Sequence, residues 1–422
     1  MLKKIAVSEL RPGMYIEKVC GSWFASPFWQ KEILLERQED LQRIQASSIR
    51  EVWINASKSN LAFDRANSAD AGLEPAPQEA PAAPAAAVKE APQSPRRAQS
   101  GSEAASAQDE VARAARLLKK SREAVQSMFN EARMGKAVAL GDAMPLVDEI
   151  SGSVLRNTGA LIGLARLKSA DDYTYMHSVA VCALMIALGR QLELDEETVR
   201  MAGLAGLLHD IGKMAVPTGI LNKPGKLTDE EFGSVRRHPE AGHMMLRDAP
   251  GMVEMALDVC LHHHEKMDGS GYPKGLKGDE ISLYARMGAV CDVYDAITSN
   301  RPYKPGWCPA ESLRRMAEWS KGHFDPVVFA AFVKCIGIYP VGTLVRLKSG
   351  RLGVVLAQPA GQPLTKPKVR VFYSIKGSAY LRPELVDLAS ATATDSIVSH
   401  EDAAKWGLRD IDRFWTGEVA FV

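Results

Sequence analysis

Apolar residues recur every three to four positions from about Asp109 to Ile338, whereas shorter runs near the two ends of the chain alternate with polar residues. In DEVARAARLLKKSREAVQSMFNEAR, which begins at Asp109, the apolar set lies on one face of a helix, the pattern of a segment packed against a core. Short polar breaks such as RNTG separate further segments of this kind. Thr228 stands three residues before Glu231 at the head of LTDEEF, a capping-box start, and Ser282 precedes the periodic run LYARMGAVCDVYDAI. The longest apolar run, SVAVCALMIALG from Ser178, falls short of the roughly 18 residues needed to span a bilayer and predicts a buried core helix. From Pro340 the period becomes that of strands: TLVRLKSGRLGVVLA places two runs around a turn at Ser349-Gly350, and KVRVFYS adds a third. Near the N-terminus MYIEKV and EVWIN read as short strands, with one polar helical segment between them around Glu36 to Gln45.

A stretch from about Asn67 to Gln108 is almost all Ala, Pro, Ser, Glu and Gln and buries too little apolar area to offset its ordering entropy, so it reads as a linker. The fold class expected is therefore multi-domain. Residues 1–65 form a small α/β module, 66–108 a disordered Ala/Pro-rich linker, 109–338 an all-α domain, and 339–422 a small β-rich C-terminal region. Trp23, Phe24, Phe28 and Trp29 of the first module read as core or interface.

Charge and cysteine usage narrow the function classes. The 422 residues carry 52 basic and 51 acidic side chains, so no global field recruits DNA, RNA or an anionic membrane, and any anionic ligand must be captured by local charge. Six scattered cysteines without a C-x-x-C pair read as reduced, buried thiols. The basic start is interrupted at Arg11 and Pro12 before an apolar core of signal-peptide length, which predicts a cytoplasmic chain without membrane insertion.

The chemistry lies in the histidines. Of nine in the chain, three are consecutive in LHHHEKMDGSGYP, residues 261–273. They belong to an ordered series: His177 in YTYMHS, His209, Asp210 and Lys213 in LLHDIGK, His238 in RRHPEAG, the His262–Glu265 cluster, and Asp292 in VCDVYDAITSNRPYK. Imidazole together with carboxylate suits iron, manganese or zinc. There are more ligand-type residues than one ion needs, so two divalent transition metals are the natural reading. Residues adjacent in a helix point about 100° apart, so His209 and Asp210 serve one centre most simply if the carboxylate bridges two metals. Two metals roughly 3.5–4 Å apart would hold a bridging hydroxide for attack on phosphorus.

The series resembles the HD-GYP domains of the HD superfamily of metal-dependent phosphohydrolases. His209-Asp210 matches the HD pair, Lys213 its H-D-x-x-K extension, His263 to Pro273 the H-H-E-x-x-D-G-x-G-Y-P signature, and Asp292, Asp295 and Arg301 to Lys304 the D-x-x-D and R-P-Y-K segments. The resemblance covers about Asp109 to Ile338. It implies an all-α HD-type phosphodiesterase that opens cyclic di-GMP to pGpG, which many members cleave onward to GMP, so either product stays open here. The metal ligands it implies are His209, Asp210, His238, His263, His264 and Asp292, with Asp210 bridging and the metals iron or manganese. His177 matches a histidine that binds a third metal in some members; those members also carry a nearby glutamate, where this chain has Asp171 and Asp172. Lys213 and Lys304 match phosphate contacts, with Lys213 and Asp210 as the catalytic pair, and Gly271, Tyr272 and Arg301 match residues lining the substrate pocket. The start SELRPGMYIEKV resembles a small domain found ahead of some HD-GYP domains, which implies regulation or dimer contact, hence homodimer or signalling partners.

The alternative is a catalytically weak cyclic di-GMP receptor acting through protein partners; a hydrolase of another nucleotide phosphate is a third reading. Among the remaining histidines, His262 reads as packing or support, His243 as facing elsewhere, and His323 and His400 as surface or structural. Glu265 reads as orienting a ligand histidine or ending a solvated face, and Asp295 as orienting or hydrogen-bonding rather than ligating. Gly269 and Gly271 read as letting backbone approach a ligand.

Overall fold

The computed structural model describes residues 2–11, 14–20, 33–34, 50–55, 107–138, 140–167, 173–223, 225–300, 306–359 and 361–417. The chain forms two compact units, Met1–Gly101 and Ser102–Val422. Trp23, Phe24, Phe28, Trp29, the segment Glu36 to Gln45 and the Ala/Pro-rich stretch up to residue 106 lie outside the described residues, as do Asp171, Asp172, Arg301 and Lys304.

In the first unit β1 (Leu2–Ala6), β2 (Tyr15–Cys20), β3 (Ile33–Leu34) and β4 (Glu51–Asn55) form an antiparallel sheet in the order β1-β4-β2-β3. The alternation in EVWIN has a direct cause: Val52 and Ile54 are fully buried beside Ile5 and Ile16, and the residues between them turn outward. Strand β1 was not expected, because Lys3 and Lys4 break the apolar alternation of LKKIA.

The second unit opens with a helical array: α1 (Ala107–Arg133), α2 (Leu140–Arg156), α3 (Thr158–Arg166), α4 (Tyr173–Gln191), α5 (Glu196–Leu208), α6 (Thr218–Leu221), α7 (Asp229–Val235), α8 (His238–Arg247), α9 (Glu254–His262), α10 (Leu283–Thr298), α11 (Pro309–His323) and α12 (Pro326–Ile336). Side chains fix the helix starts as the sequence predicts. Thr228 and Glu231 form the reciprocal capping box of α7, and Ser282 accepts from the Ala285 N–H at the head of α10. Helix α4 is central; every residue from Ser178 to Gly189 is buried, which explains its lack of a polar face. No helix of the described residues is long and apolar enough to cross a membrane.

The chain ends in a five-stranded antiparallel sheet, β5 (Leu344–Leu347), β6 (Arg351–Ala357), β7 (Lys368–Ser374), β8 (Ala379–Asp387) and β9 (Ile397–His400), in the order β8-β7-β6-β5-β9, followed by the short α13 (Arg413–Thr416). Three of these strands were expected. The other two lie at the sheet edges, where burial on one face no longer enforces alternation, and β8 carries Pro383, which an edge strand tolerates. The sheet packs onto the helices: Val341, Leu352, Phe372 and Trp415 share one buried cluster with Leu161 and Leu164 of α3.

Candidate metal centre

The HD pair lies where α5 stops. Leu208 is the last helical residue, His209 caps the helix, and Asp210 leaves it with φ −103° and ψ 7°. The pair therefore escapes the 100° divergence of an ideal helix, and both side chains reach the same interior point. Gly212 allows a close crossing here, since a Cβ at that position would run into the His238 carbonyl at the start of α8. The histidine run behaves alike: α9 ends at His262, so His263 and His264 turn out of the helix.

Four imidazoles share one tautomer, imposed by the backbone and one carboxylate. Nδ1 of His209 donates to the Gly206 carbonyl at 2.7 Å, Nδ1 of His238 to Val235 at 2.8 Å, and Nδ1 of His263 to Val259 at 3.0 Å. Nδ1 of His177 meets Asp295 Oδ2 at 2.6 Å. A carbonyl can only accept, so the proton sits on Nδ1 and the Nε2 lone pair faces inward.

Asp210 lies at the middle of the inward atoms. Its Oδ1 is 3.2 Å from His238 Nε2 and 3.9 Å from His263 Nε2, while Oδ2 is 3.4 Å from both His177 Nε2 and His209 Nε2. Asp292 straddles the same division, with Oδ1 2.9 Å from His177 Nε2 and Oδ2 3.7 Å from His264 Nδ1. Three donor groups result, each with atoms within 4.8 Å of one another: His238, His263 and His264; His177, His209 and Asp292; His209, Asp210 and His263.

The donor chemistry fits cations. His238 Nε2 and His263 Nε2 lie 3.3 Å apart with both protons on the far nitrogens, so two lone pairs face each other. His209 Nε2 and Asp210 Oδ1 are fully buried without a hydrogen bond among the described residues, an expense a ligated ion removes. Burial, then the neighbouring His209 and His238, pushes the His263 imidazole down to about 3, so it stays neutral and ligand-competent at ordinary pH. Burial opposes charge on Asp210 and Asp292, yet Lys213 and His209 beside the first and His177 and His264 beside the second hold both well below the usual carboxylate range.

The structure brings His177, His209, Asp210, His238, His263, His264 and Asp292 to this one cluster. His177 stands within the group of His209 and Asp292 rather than apart from it. Lys213 is paired with Asp210 Oδ2 and one-fifth exposed. Tyr272 lies at the mouth, its ring stacked on His264 with centroids 4.7 Å apart. Gly271 differs in its reason from expectation: a Cβ there would strike the backbone of Glu265 and Lys266, so its bareness serves loop packing. His262 turns aside, its Nδ1 2.8 Å from Asp258 Oδ1. His323 is half-buried against Phe324, and its carbonyl accepts from the Met267 N–H. His400 is partly exposed, 3.4 Å from Glu311.

Asp295, expected to orient or hydrogen-bond rather than ligate, holds His177 through the bond above. Two roles were not legible beforehand. Arg236, from RRHP, places its guanidinium 4.5 Å from the Tyr272 ring centroid. Glu265 neither orients a histidine nor ends a solvated face: it is buried and accepts the N–H groups of Lys274, Gly275 and Leu276 at 2.7, 3.1 and 3.0 Å. It holds the loop that carries Tyr272. Glu265→Gln is expected to lower kcat/KM on the order of tenfold to a hundredfold through misplacement of that loop, with bound metal per chain unchanged. Metal loss in step with rate would show that Glu265 supports the ligands instead.

A helical bundle that aims four buried imidazoles, a fifth at the rim and two carboxylates at one point defines an HD-type metal-dependent hydrolase. The chain matches an HD domain over residues 158–328 and a domain of unknown function (DUF3391) over residues 2–143. It is 57% identical over 419 residues, 99% of this chain and 96% of the relative, to a Pseudomonas aeruginosa protein named cyclic di-GMP phosphodiesterase PA4108. It is 40% identical to the Xanthomonas campestris pv. campestris protein named cyclic di-GMP phosphodiesterase response regulator RpfG, over 39% of this chain and 44% of that one. A Vibrio cholerae protein named 3'3'-cGAMP-specific phosphodiesterase 3 is 37% identical over 47% of this chain and 42% of its own length. The chain belongs to the HD-GYP family of HD-domain phosphodiesterases.

Proposed function

We propose that the chain hydrolyses cyclic di-GMP, opening one phosphodiester to give pGpG and cleaving onward to GMP, at a centre of two divalent transition metals. The observation that carries the two-metal reading is the division of donors around Asp210: Oδ1 faces His238 and His263, and Oδ2 faces His177 and His209. Asp292 divides its oxygens the same way, so two carboxylates rather than one are placed to bridge. His238, His263 and His264 would hold one ion, and His177 and His209 the other. Mixed nitrogen and oxygen donors suit iron or manganese. When bound, such a pair supplies Lewis acidity and makes water nucleophilic near neutral pH.

The chain's own groups do the rest. Lys213 sits one turn beyond Asp210 at the edge of the centre, where its ammonium can meet a phosphate oxygen and stabilise the charge that develops during attack. Tyr272 and Arg236 form the mouth, offering a ring and a guanidinium to a nucleotide. The relative matched over the whole length is named for cyclic di-GMP, which supports that substrate over 3'3'-cGAMP. The test is product chromatography of the metal-loaded protein offered both cyclic dinucleotides. Cyclic di-GMP should turn over at least about tenfold faster in kcat/KM, a difference near 1.4 kcal/mol; equal or reversed preference would sink the substrate assignment, and tight binding without turnover would sink the hydrolase.

Arg236→Ala is expected to raise KM roughly tenfold with kcat little changed, because a charge-assisted contact at the mouth binds ground state and transition state alike. Arg236→Lys should recover only part of the loss, since an ammonium cannot lie flat on Tyr272 while it forks to a phosphate. A fall in kcat at constant KM would place Arg236 nearer the reacting phosphorus.

A further inference from the structure

A cavity of about 500 Å³ lies between α3, the C-terminal halves of α10 and α12, and the turn after β6. Its lining contains none of the seven histidines and aspartates gathered at the metal centre. Among the described residues the two sites meet at Asp295, which lines the cavity and is bound to His177 Nδ1 at 2.6 Å and to Ser299 Oγ at 3.1 Å.

The cavity is a built pocket with a charge of its own. Among the described residues, Arg156, Arg166 and Lys334 line it together with one carboxylate, that of Asp295. Arg156 is held by Glu110 at 2.8 Å, and Arg166 reaches Asp412 only at 3.5 Å. The Arg166 Nε and the Gln358 Oε1 are buried without a hydrogen-bond partner among the described residues, one donor and one acceptor left unmet in the lining. Such groups are normally satisfied, and where they line a cavity a ligand can satisfy them. Ile162, Leu184 and Val341 supply apolar wall between the polar groups.

We infer that this cavity is a second, non-catalytic ligand site for a phosphate-bearing anion of mononucleotide size, with Arg166 and Lys334 meeting the phosphate and Gln358 the body of the ligand. The volume falls in the range of roughly 300–1,000 Å³ that takes small organic ligands. A guanidinium and an ammonium lining one cavity offer the usual recognition chemistry for phosphate.

The test uses the full chain, stripped with a chelator to silence the metal centre, and GMP as the probe in isothermal titration. One saturable site is expected. Lys334→Gln, an exposed position whose change leaves the core untouched, and Arg166→Gln should each weaken it at least about tenfold, while His264→Ala leaves it unaltered. Lys334→Gln should also keep normal cyclic di-GMP turnover. Absence of GMP binding, binding lost in His264→Ala but kept in Lys334→Gln, or inorganic phosphate binding as tightly as GMP would each overturn the inference. The readout is binding rather than hydrolysis, so failure of the phosphodiesterase reading would leave this result standing.

Discussion

Asp210→Ala is expected to lower cyclic di-GMP hydrolysis by a thousandfold or more and to reduce bound metal, while the helical fold persists. The size follows from position. Among the described residues, Asp210 stands within 4 Å of four imidazoles at once, those of His177, His209, His238 and His263. Without it the two donor groups lose one of the two carboxylates they share, leaving Asp292 alone to balance the positive charge they gather. Metal-assisted steps draw several kcal/mol from such charge placement, and each ~1.4 kcal/mol is a factor of ten in rate. The fold should survive because the buried apolar clusters around α4, α5 and α10 exclude this residue. Lys213 would lose its partner but is one-fifth exposed and can turn to solvent. Turnover within a few-fold of the parent at full metal loading would refute the central role given to Asp210. Asp210→Asn sharpens the test, since it keeps shape and removes charge: it should retain the circular dichroism and melting temperature of the parent and still lose activity.

The residues of this centre were legible in the sequence because their chemistry is scarce. Histidine is rare in the chain, and most of its copies fall in short motifs at helix ends. Their geometry was not legible. Helical neighbours would point His209 and Asp210 about 100° apart, but in this motif as in the histidine run the helix stops inside the segment, and the turn that follows lets adjacent residues converge. Contacts made across the fold were equally hidden. Glu265 bonds backbone nine to eleven residues ahead, Asp295 meets a histidine 118 residues before it, and Arg236 meets Tyr272 from a separate helix end. Nothing in local pattern marks such pairings. The fold divides in the same way. Helices of strong period and capped start were predictable, whereas β1, with its paired lysines, and the edge strands β8 and β9 take their conformation from neighbours in the sheet rather than from their own alternation.

The consecutive histidines allow a test that separates register from composition. His263→Ala and His264→Ala should each remove about one metal per chain and cut turnover on the order of a hundredfold or more, whereas His262→Ala should keep both close to the parent. His263 lies fully buried, with Nδ1 tied to the Val259 carbonyl and Nε2 aimed at His238 and Asp210. His264 enters from the rim, its Nδ1 3.7 Å from Asp292 and its ring against Tyr272. His262 is still helical, and the helix turns it toward Asp258 on its own preceding turn, where Ser282 Oγ also donates to the same carboxylate. Its loss removes one partly exposed hydrogen bond, about 1 kcal/mol of stability, and no donor to the centre. His264→Ala carries a second consequence that His263→Ala does not: Tyr272 loses the ring it stacks on, so residual activity in that variant should show a raised KM as well as a lowered kcat. Metal analysis and steady-state kinetics on the three single variants decide the matter. A metal loss confined to His262→Ala would mean that the chain leaves α9 one residue earlier, with His262 rather than His264 among the donors, and would overturn the register of the whole centre.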